Sequence, residues 1–212
     1  MTKTELLKIA KPILFNTEMT RAILDGRKTV TRRVIKGLPD NVYSFERLSD
    51  DGIWEYRWGE CGRGICLDFS NIITPKYQVG DYLYVRETWA DVFGKYEYRA
   101  DYSESENTYR VKRYGTTIAK WRPSIHMPKE AARIFLRVKN VRVERLQEIT
   151  LEDIEHEGLY CEPPYTKEHY AYAPGMRIHW IKLWDSLNAK RGYGWDTNPW
   201  VWVYEFEKVA PK

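Results

Sequence analysis

The stretch Gly26-Arg-Lys-Thr-Val-Thr-Arg-Arg33 decides the N-terminal part of the fold, because the residues on its two sides favour different local structures. Upstream, Asn16 or Thr17 can cap a helix with apolar residues on one face. Gly26 suits the left-handed conformation that often follows a helix, so the chain is expected to turn there. Downstream, Val30-Thr-Arg-Arg-Val34 has the β-branched content of a strand. The quoted stretch is thus predicted to be a basic turn between a helix and a strand.

Composition places the chain among ordinary globular proteins. It has 212 residues, of which 43% are hydrophobic and 30% charged, and a mean hydropathy of −0.62, so we expect neither disorder nor a membrane protein. No stretch approaches the roughly 20 apolar residues that cross a bilayer, and the N-terminus lacks the apolar core of a signal peptide. We therefore expect one domain over residues 1–212, a cytoplasmic location and no membrane partner.

Net charge and cysteine content restrict partners and cofactors only weakly. The charge of +4 permits binding to a polyanion without requiring it. Cys61, Cys66 and Cys161 are too few and too unevenly spaced for a disulfide framework, and unpaired thiols are the favoured interpretation. A tetrahedral zinc site that adds His156 is the weaker alternative, since the usual ligand pairing is tighter and repeated. No cofactor and no metal are expected.

The remaining segments alternate between short strands, helices and long connections. Residues 36–79 contain several glycines and acidic residues and are predicted to be an excursion with a hairpin around 54–58. A second excursion is expected at 159–175, and two prolines favour an extended loop at 121–128. The other predicted elements are strands at 12–15, 82–89, 96–99, 134–143 and 199–209, and helices at 150–157 and 176–189.

This order of elements predicts an α+β fold, in which many short strands form a barrel with helices attached and no βαβ alternation occurs. The helix at 150–157 begins with a capping-box pattern at Thr150 and stops at Gly158. The last helix is amphipathic and should bury one stripe of side chains, composed of Ile178, Ile181, Trp184 and Leu187.

Three motifs resemble the ASCH superfamily of PUA-like β-barrels: Ile23-Leu-Asp-Gly-Arg-Lys-Thr-Val-Thr-Arg-Arg33, Gly80-Asp-Tyr-Leu-Tyr-Val-Arg-Glu-Thr-Trp89 and His156-Glu-Gly158. The chain as a whole is similar to phage and prophage ASCH-domain proteins, with further shared features at 12–36, 121–128, 141–158, 183–186 and 198–202. The resemblance implies a PUA-like β-barrel with flanking helices and long insertions that binds nucleic acid or a nucleotide.

One branch of that superfamily, the bacterial N4-acetylcytidine amidohydrolases, hydrolyses an acyl amide on cytosine with a Lys, a Thr and a Glu. The resemblance places these roles on Lys28, Thr31 and Glu157. A Thr hydroxyl needs a base to become a nucleophile, and neighbouring arginines would lower the pKa of Lys28. Glu157 would pass a proton to the leaving amine, and backbone amides after Gly26 would hold the oxyanion.

A structural interpretation of the same residues stays open. Basic residues at a helix C-terminus interact favourably with its dipole, and Glu157 could be a solvated carboxylate. The alternative function for the protein is a non-catalytic module that binds RNA or modified DNA, with Lys28, Arg32 and Arg33 on phosphates. A third is a phage-encoded protein that contacts a host factor through 36–79.

Further candidate ligand-binding residues come from the basic turn, the strand at 82–89 and the loop at 121–128. Arg86 and Glu87 should point to opposite faces, with one of them ion-paired near Lys28. Either of two tryptophans can stack on a base or fill the core. Ser124 and His126 are expected to line a pocket or hold the loop rather than form a hydrolytic dyad. The full set is Arg27, Arg32, Arg33, Arg86, Glu87, Trp89, Trp121, Ser124 and His126.

The expected partner is nucleic acid, RNA more than DNA, or a free modified nucleoside. Whether the protein is catalytic and how it oligomerises are left open by the sequence.

Overall fold

A computed structural model describes residues 1–49, 52–62, 65–102, 110–113, 116–159 and 172–212. Cys161 and most of the predicted excursion at 159–175 lie outside these residues. The described part of the chain is a mixed α+β structure. Its helices are α1 (Lys3–Ile9), α2 (Thr17–Leu24), α3 (Leu151–His156) and α4 (Tyr172–Asn188). Its strands are β1 (Lys11–Leu14), β2 (Val30–Val34), β3 (Val42–Arg47), β4 (Trp54–Gly62), β5 (Ile65–Ile73), β6 (Tyr82–Arg86), β7 (Trp89–Val92), β8 (Lys95–Tyr98), β9 (Arg110–Arg113), β10 (Thr116–Lys120), β11 (Phe135–Arg145) and β12 (Trp200–Val209).

The central sheet has the strand order β1-β6-β11-β12-β2. β1 and β6 are parallel, and the other neighbours are antiparallel. Because β1 and β2 are its two edges, this sheet does not close into a barrel within the described residues. The edge position of β2 leaves one side of the basic segment free for other contacts.

Both faces of the central sheet are buried, which explains the nearly continuous apolar run of β12. Trp202, Tyr204 and Phe206 point into a core that also contains α2. Val201 and Val203 point into a second core, which they share with α3 and α4. The sheet therefore packs on one face against α2 and residues of β3, β4 and β5, and on the other against α3 and α4, with β2 at its edge.

The region at 36–79 is more regular than predicted. It contains a three-stranded antiparallel sheet of β3, β4 and β5, in which Trp58 and Phe69 stack with ring centroids 5.4 Å apart. Cys66 lies opposite Cys61 in this hairpin and is disulfide-bonded, so the expectation of unpaired thiols is wrong for Cys66. Cross-strand aromatic pairing stabilises a segment whose glycines suggested a loop.

Two other predictions need correction. The predicted strand at 82–89 ends at Arg86, and the chain begins a separate hairpin at Trp89. In α4 the fully buried side chains are Met176, Trp180 and Trp184, whereas Ile178 and Leu187 are about half exposed. The buried stripe therefore follows i, i+4, i+8 from Met176, because this is the side that packs on Val201 and Val203.

Local signals place the basic turn as the sequence predicted. The Asn16 side chain caps α2 by accepting from the Met19 amide at 2.8 Å, and Gly26 follows the helix with φ +76°. The Thr150 hydroxyl caps α3 through the Asp153 amide at 3.1 Å. Gly158, just after α3, has φ +90°, and a Cβ there would lie 2.7 Å from Ala22 Cβ and 2.9 Å from Lys28 Cβ. Glycine is thus required where the end of α3 meets the α2–β2 turn.

We predict that Gly158→Ala lowers the free energy of unfolding by more than about 2 kcal/mol, since it adds a steric clash to the strain of a positive φ. Gly192→Ala is the matched control, because Gly192 has φ +83° and no atom within 4 Å of its Cβ position. Chemical denaturation measures both variants. Equal losses would mean that the contact with Lys28 does not constrain residue 158.

Candidate functional site

The site is built around Lys28, whose side chain has no exposed surface. Its Nζ donates to Glu157 Oε2 at 2.6 Å and to the carbonyl oxygens of Val30 and Glu157, both at 2.8 Å. Three acceptors match the three hydrogens of an ammonium group, whereas a neutral amine could donate to only two. The surroundings therefore hold Lys28 in its charged form.

Burial also acts on this group, and it lowers the pKa of Lys28 below the ordinary lysine value. The Glu157 carboxylate opposes the shift, and the positive charges of Arg33 and Arg32 add to it. Arg27 takes no part in it: its guanidinium is partly exposed and donates to Gly158 O at 2.7 Å and to Asp25 at 2.9 Å.

Glu157 is buried, so the interpretation of a solvated carboxylate is wrong. Its Oε1 accepts from the backbone amide of Arg32 at 2.8 Å and from Arg32 Nη1 at 3.5 Å. The Arg32 amide belongs to an edge strand, so Glu157 satisfies a backbone donor that has no neighbouring strand. One carboxylate thus joins the end of α3 to the α2–β2 turn and to the free edge of β2.

Arg32 extends the pair into a wider network. Its Nη2 lies 3.0 Å from Glu144 and 3.1 Å from Asp153. Arg142 contacts the same two carboxylates, with 2.9 Å from Nη2 to Asp153. Alternating charges in close contact stabilise one another, and each buried group has a counter-ion.

The backbone amides after Gly26 do not form an oxyanion hole. Those of Arg27 and Lys28 donate to Ala22 O at 2.9 and 3.0 Å, and that of Thr29 donates to His156 O at 2.8 Å. These donors are used to fix the turn. The expectation that they would hold an oxyanion is therefore wrong.

A cavity of about 610 Å³ lies along the free edge of β2, between the β1–α2 connection and α4. We call it the β2–α4 cavity. Its polar lining includes Thr31, Arg33, Ser124 and Glu157, so it collects several of the predicted site residues. Arg33 is held there by a 2.8 Å bond to Leu14 O and by the Phe15 ring, 5.3 Å away.

The opposite wall of the β2–α4 cavity is apolar and aromatic. Phe15 of the β1–α2 connection and Met19 of α2 form part of this apolar lining, and Trp180 and Trp184 of α4 form the rest. The sequence did not single out Trp180. The spacing of four between Trp180 and Trp184 could have indicated a shared helix face.

No match was found for the chain among protein-family models, curated proteins or solved structures.

Lys28 and Thr31 line different cavities. Lys28 lines a second cavity of about 510 Å³, together with Asp153 and His156, whereas Thr31 and Glu157 share the β2–α4 cavity. Glu157 is thus the member of the predicted triad that contacts Lys28 and also shares a cavity with Thr31. This arrangement suits Lys28 for holding the Glu157 side chain in place better than for accepting a proton from Thr31.

Arg86 and Glu87 contact residues outside the Lys28 network. Arg86 donates to the carbonyl of Ile125. Glu87 accepts two bonds from Arg133, at 2.8 and 3.0 Å, and Arg133 also binds Asp101. Burial raises the pKa of Glu87. The predicted buried Arg–Glu pair exists, but its arginine is Arg133 and it shares no member with the Lys28 network.

The two predicted stacking tryptophans and His126 lie elsewhere. Trp89 is 4% exposed and belongs to a core cluster, and Trp121 packs edge-on against Tyr102 at 5.2 Å. His126 is exposed, and only Ser124 of that pair lines the cavity. The core interpretation fits these tryptophans better than a role in stacking.

The described residues include neither a helix that could span a membrane nor a cluster of metal ligands. None of the helices there combines the length and the apolar character needed to span a bilayer. The same residues contain no group of three or more His, Cys, Asp or Glu side chains placed to hold a metal.

We predict that Glu157→Gln alone destabilises the protein by about 3 kcal/mol, because it leaves the buried Lys28 charge unpaired. The double variant Lys28→Met/Glu157→Gln should recover part of that loss. The exposed pair Lys139 and Glu207, 3.8 Å apart, provides the control: the corresponding variants should leave the free energy of unfolding nearly unchanged. Urea denaturation of the full double-mutant cycle makes the comparison, and strict additivity of the Lys28 and Glu157 losses would contradict the coupling.

Proposed function

We propose that this chain is a divergent ASCH-type domain that binds a nucleobase-containing ligand, as a nucleotide or within RNA, in the β2–α4 cavity. The observation that carries this is the pairing of a polar floor, formed by Thr31, Arg33 and Glu157, with an aromatic wall from α4. A base needs hydrogen-bond partners for its edge and a flat apolar surface for its face. The resemblance to ASCH domains supports the same ligand class.

Positive charge at the mouth of the cavity supports a phosphorylated ligand. Lys36 and Arg191 line the cavity and are exposed. Exposed cations next to a base-sized cavity can pair with a phosphate while the base lies inside. We therefore expect nucleotides to bind more tightly than the corresponding nucleosides.

Hydrolysis of an N4-acyl amide on a cytidine-type base is a second candidate. The observation that favours it is the presence of the Thr31 hydroxyl and the Glu157 carboxylate in one cavity. In this scheme Thr31 Oγ1 attacks the acyl carbonyl and Glu157 accepts its proton, which then moves to the departing cytosine amine. Water hydrolyses the acyl-threonine and releases the carboxylic acid. Lys28 holds the Glu157 side chain in place.

For binding, we predict that cytidine 5′-monophosphate associates more tightly than cytidine and that the difference shrinks as salt rises. Lys36→Ala and Arg191→Ala should each weaken binding of the nucleotide several-fold and leave binding of the nucleoside unchanged. Lys190→Ala is the matched control, since Lys190 is exposed but does not line the cavity. Isothermal titration calorimetry at two salt concentrations tests this, and no binding of either compound to the wild type would refute the proposed function.

For hydrolysis, we predict that the wild type converts N4-acetylcytidine to cytidine and acetate. Thr31→Val, which keeps the shape and removes the hydroxyl, should abolish turnover, and Thr31→Ser should retain part of it. Chromatographic separation of the products over time measures the rate. Binding without turnover by the wild type would reject the hydrolytic candidate and leave the non-catalytic one.

A further inference from the structure

Two side chains that line the β2–α4 cavity each carry a buried hydrogen-bond donor without an acceptor in the described residues. These donors are Trp180 Nε1 and Arg32 Nε, on side chains from α4 and β2 that are 3% and 4% exposed. A buried donor without a partner destabilises a protein, so native structures contain few of them. Two in one cavity indicate an acceptor that arrives with the ligand.

The neighbouring nitrogen donors, on Arg32 itself and on Trp184, already have acceptors. Arg32 directs its Nη atoms to Glu144, Asp153 and Glu157, which leaves only Nε. One turn further along α4, Trp184 Nε1 donates to Tyr193 O at 2.8 Å. The arginine is therefore held by three carboxylates, and Nε is its guanidinium nitrogen without an acceptor in the described residues.

Three other tryptophans in the described part of the chain also have an unpaired indole N–H, but they differ from Trp180 in lying outside the β2–α4 cavity. The indole nitrogens of Trp54, Trp89 and Trp121 are also buried without a partner, but none of these three side chains lines the β2–α4 cavity. Among the four tryptophans in the described residues with an unpaired indole N–H, Trp180 is the one that lines the β2–α4 cavity.

We propose that Trp180 Nε1–H and Arg32 Nε–H recognise a carbonyl oxygen of the bound base, which makes Trp180 a specificity-determining residue. This inference rests on the proposed nucleotide function. Cytosine and uracil carry a carbonyl oxygen on the ring and adenine carries none, so the site should select pyrimidine nucleotides over adenine nucleotides. Both groups are pure donors, and a ligand edge with only donors would leave them unpaired.

The experiment compares wild type, Trp180→Phe and Trp89→Phe with cytidine 5′-monophosphate and adenosine 5′-monophosphate. In the wild type we expect the cytidine nucleotide to bind about tenfold more tightly, the effect of one buried hydrogen bond. Trp180→Phe should weaken this preference, because only Arg32 Nε–H then remains to bind the carbonyl, and its unliganded melting temperature should stay equal or rise, since an unsatisfied donor has been removed. Trp89→Phe removes the same kind of donor outside the cavity and should keep the preference.

Each outcome decides a specific point. If the wild type binds neither nucleotide, the proposed function fails and this inference fails with it. If the wild type prefers the cytidine nucleotide and Trp180→Phe keeps that preference, only the inference fails. A wild type that binds both nucleotides equally overturns the carbonyl recognition and leaves nucleotide binding intact. A large drop in the unliganded melting temperature of Trp180→Phe would assign its N–H a structural role and also overturn the inference.

Discussion

The buried ion pair between Lys28 and Glu157 holds the rest of the site in place. Two residues separated by 129 positions meet at 2.6 Å, and neither side chain is more than 2% exposed. An isolated charge at such a position would be very costly, so each residue requires the other. Because Glu157 also bonds the Arg32 amide, one contact fixes the end of α3, the turn after α2 and the edge strand β2.

The position of β2 at the edge of the sheet explains how a short basic segment can supply so much of one cavity. Successive side chains of a strand point to opposite faces, and in a central strand they would serve two separate layers. At the free edge both faces border the same opening, so Thr31, Arg32 and Arg33 all line the β2–α4 cavity. Lys28 lies behind this surface and acts on the cavity through Glu157.

Local signals in the sequence were sufficient for the elements that surround this pair. The cap at Asn16 and the glycines at 26 and 158 are short-range features, and the structure contains them as expected. The meeting of Lys28 with Glu157 was expected only from the resemblance. No local pattern could show which side of α4 packs on the sheet, because that side is set by Val201 and Val203. The hairpin predicted around 54–58 lies within the sheet formed by β3 to β5, but the full extent of that sheet depends on cross-strand aromatic pairs such as Trp58 with Phe69, which the glycines of this region did not indicate.

The central claim is that the β2–α4 cavity receives a nucleobase against the indole of Trp180. The most direct measurement is a titration of ¹⁵N-labelled protein with cytidine 5′-monophosphate, followed through the assigned indole N–H signals of its nine tryptophans. The structure predicts that the Trp180 signal shifts most, in the downfield direction of a newly formed hydrogen bond, while those of Trp89 and Trp121 stay in place. Saturable binding that shifts Trp89 or Trp121 and leaves Trp180 unchanged would contradict the account and place the ligand elsewhere on the molecule.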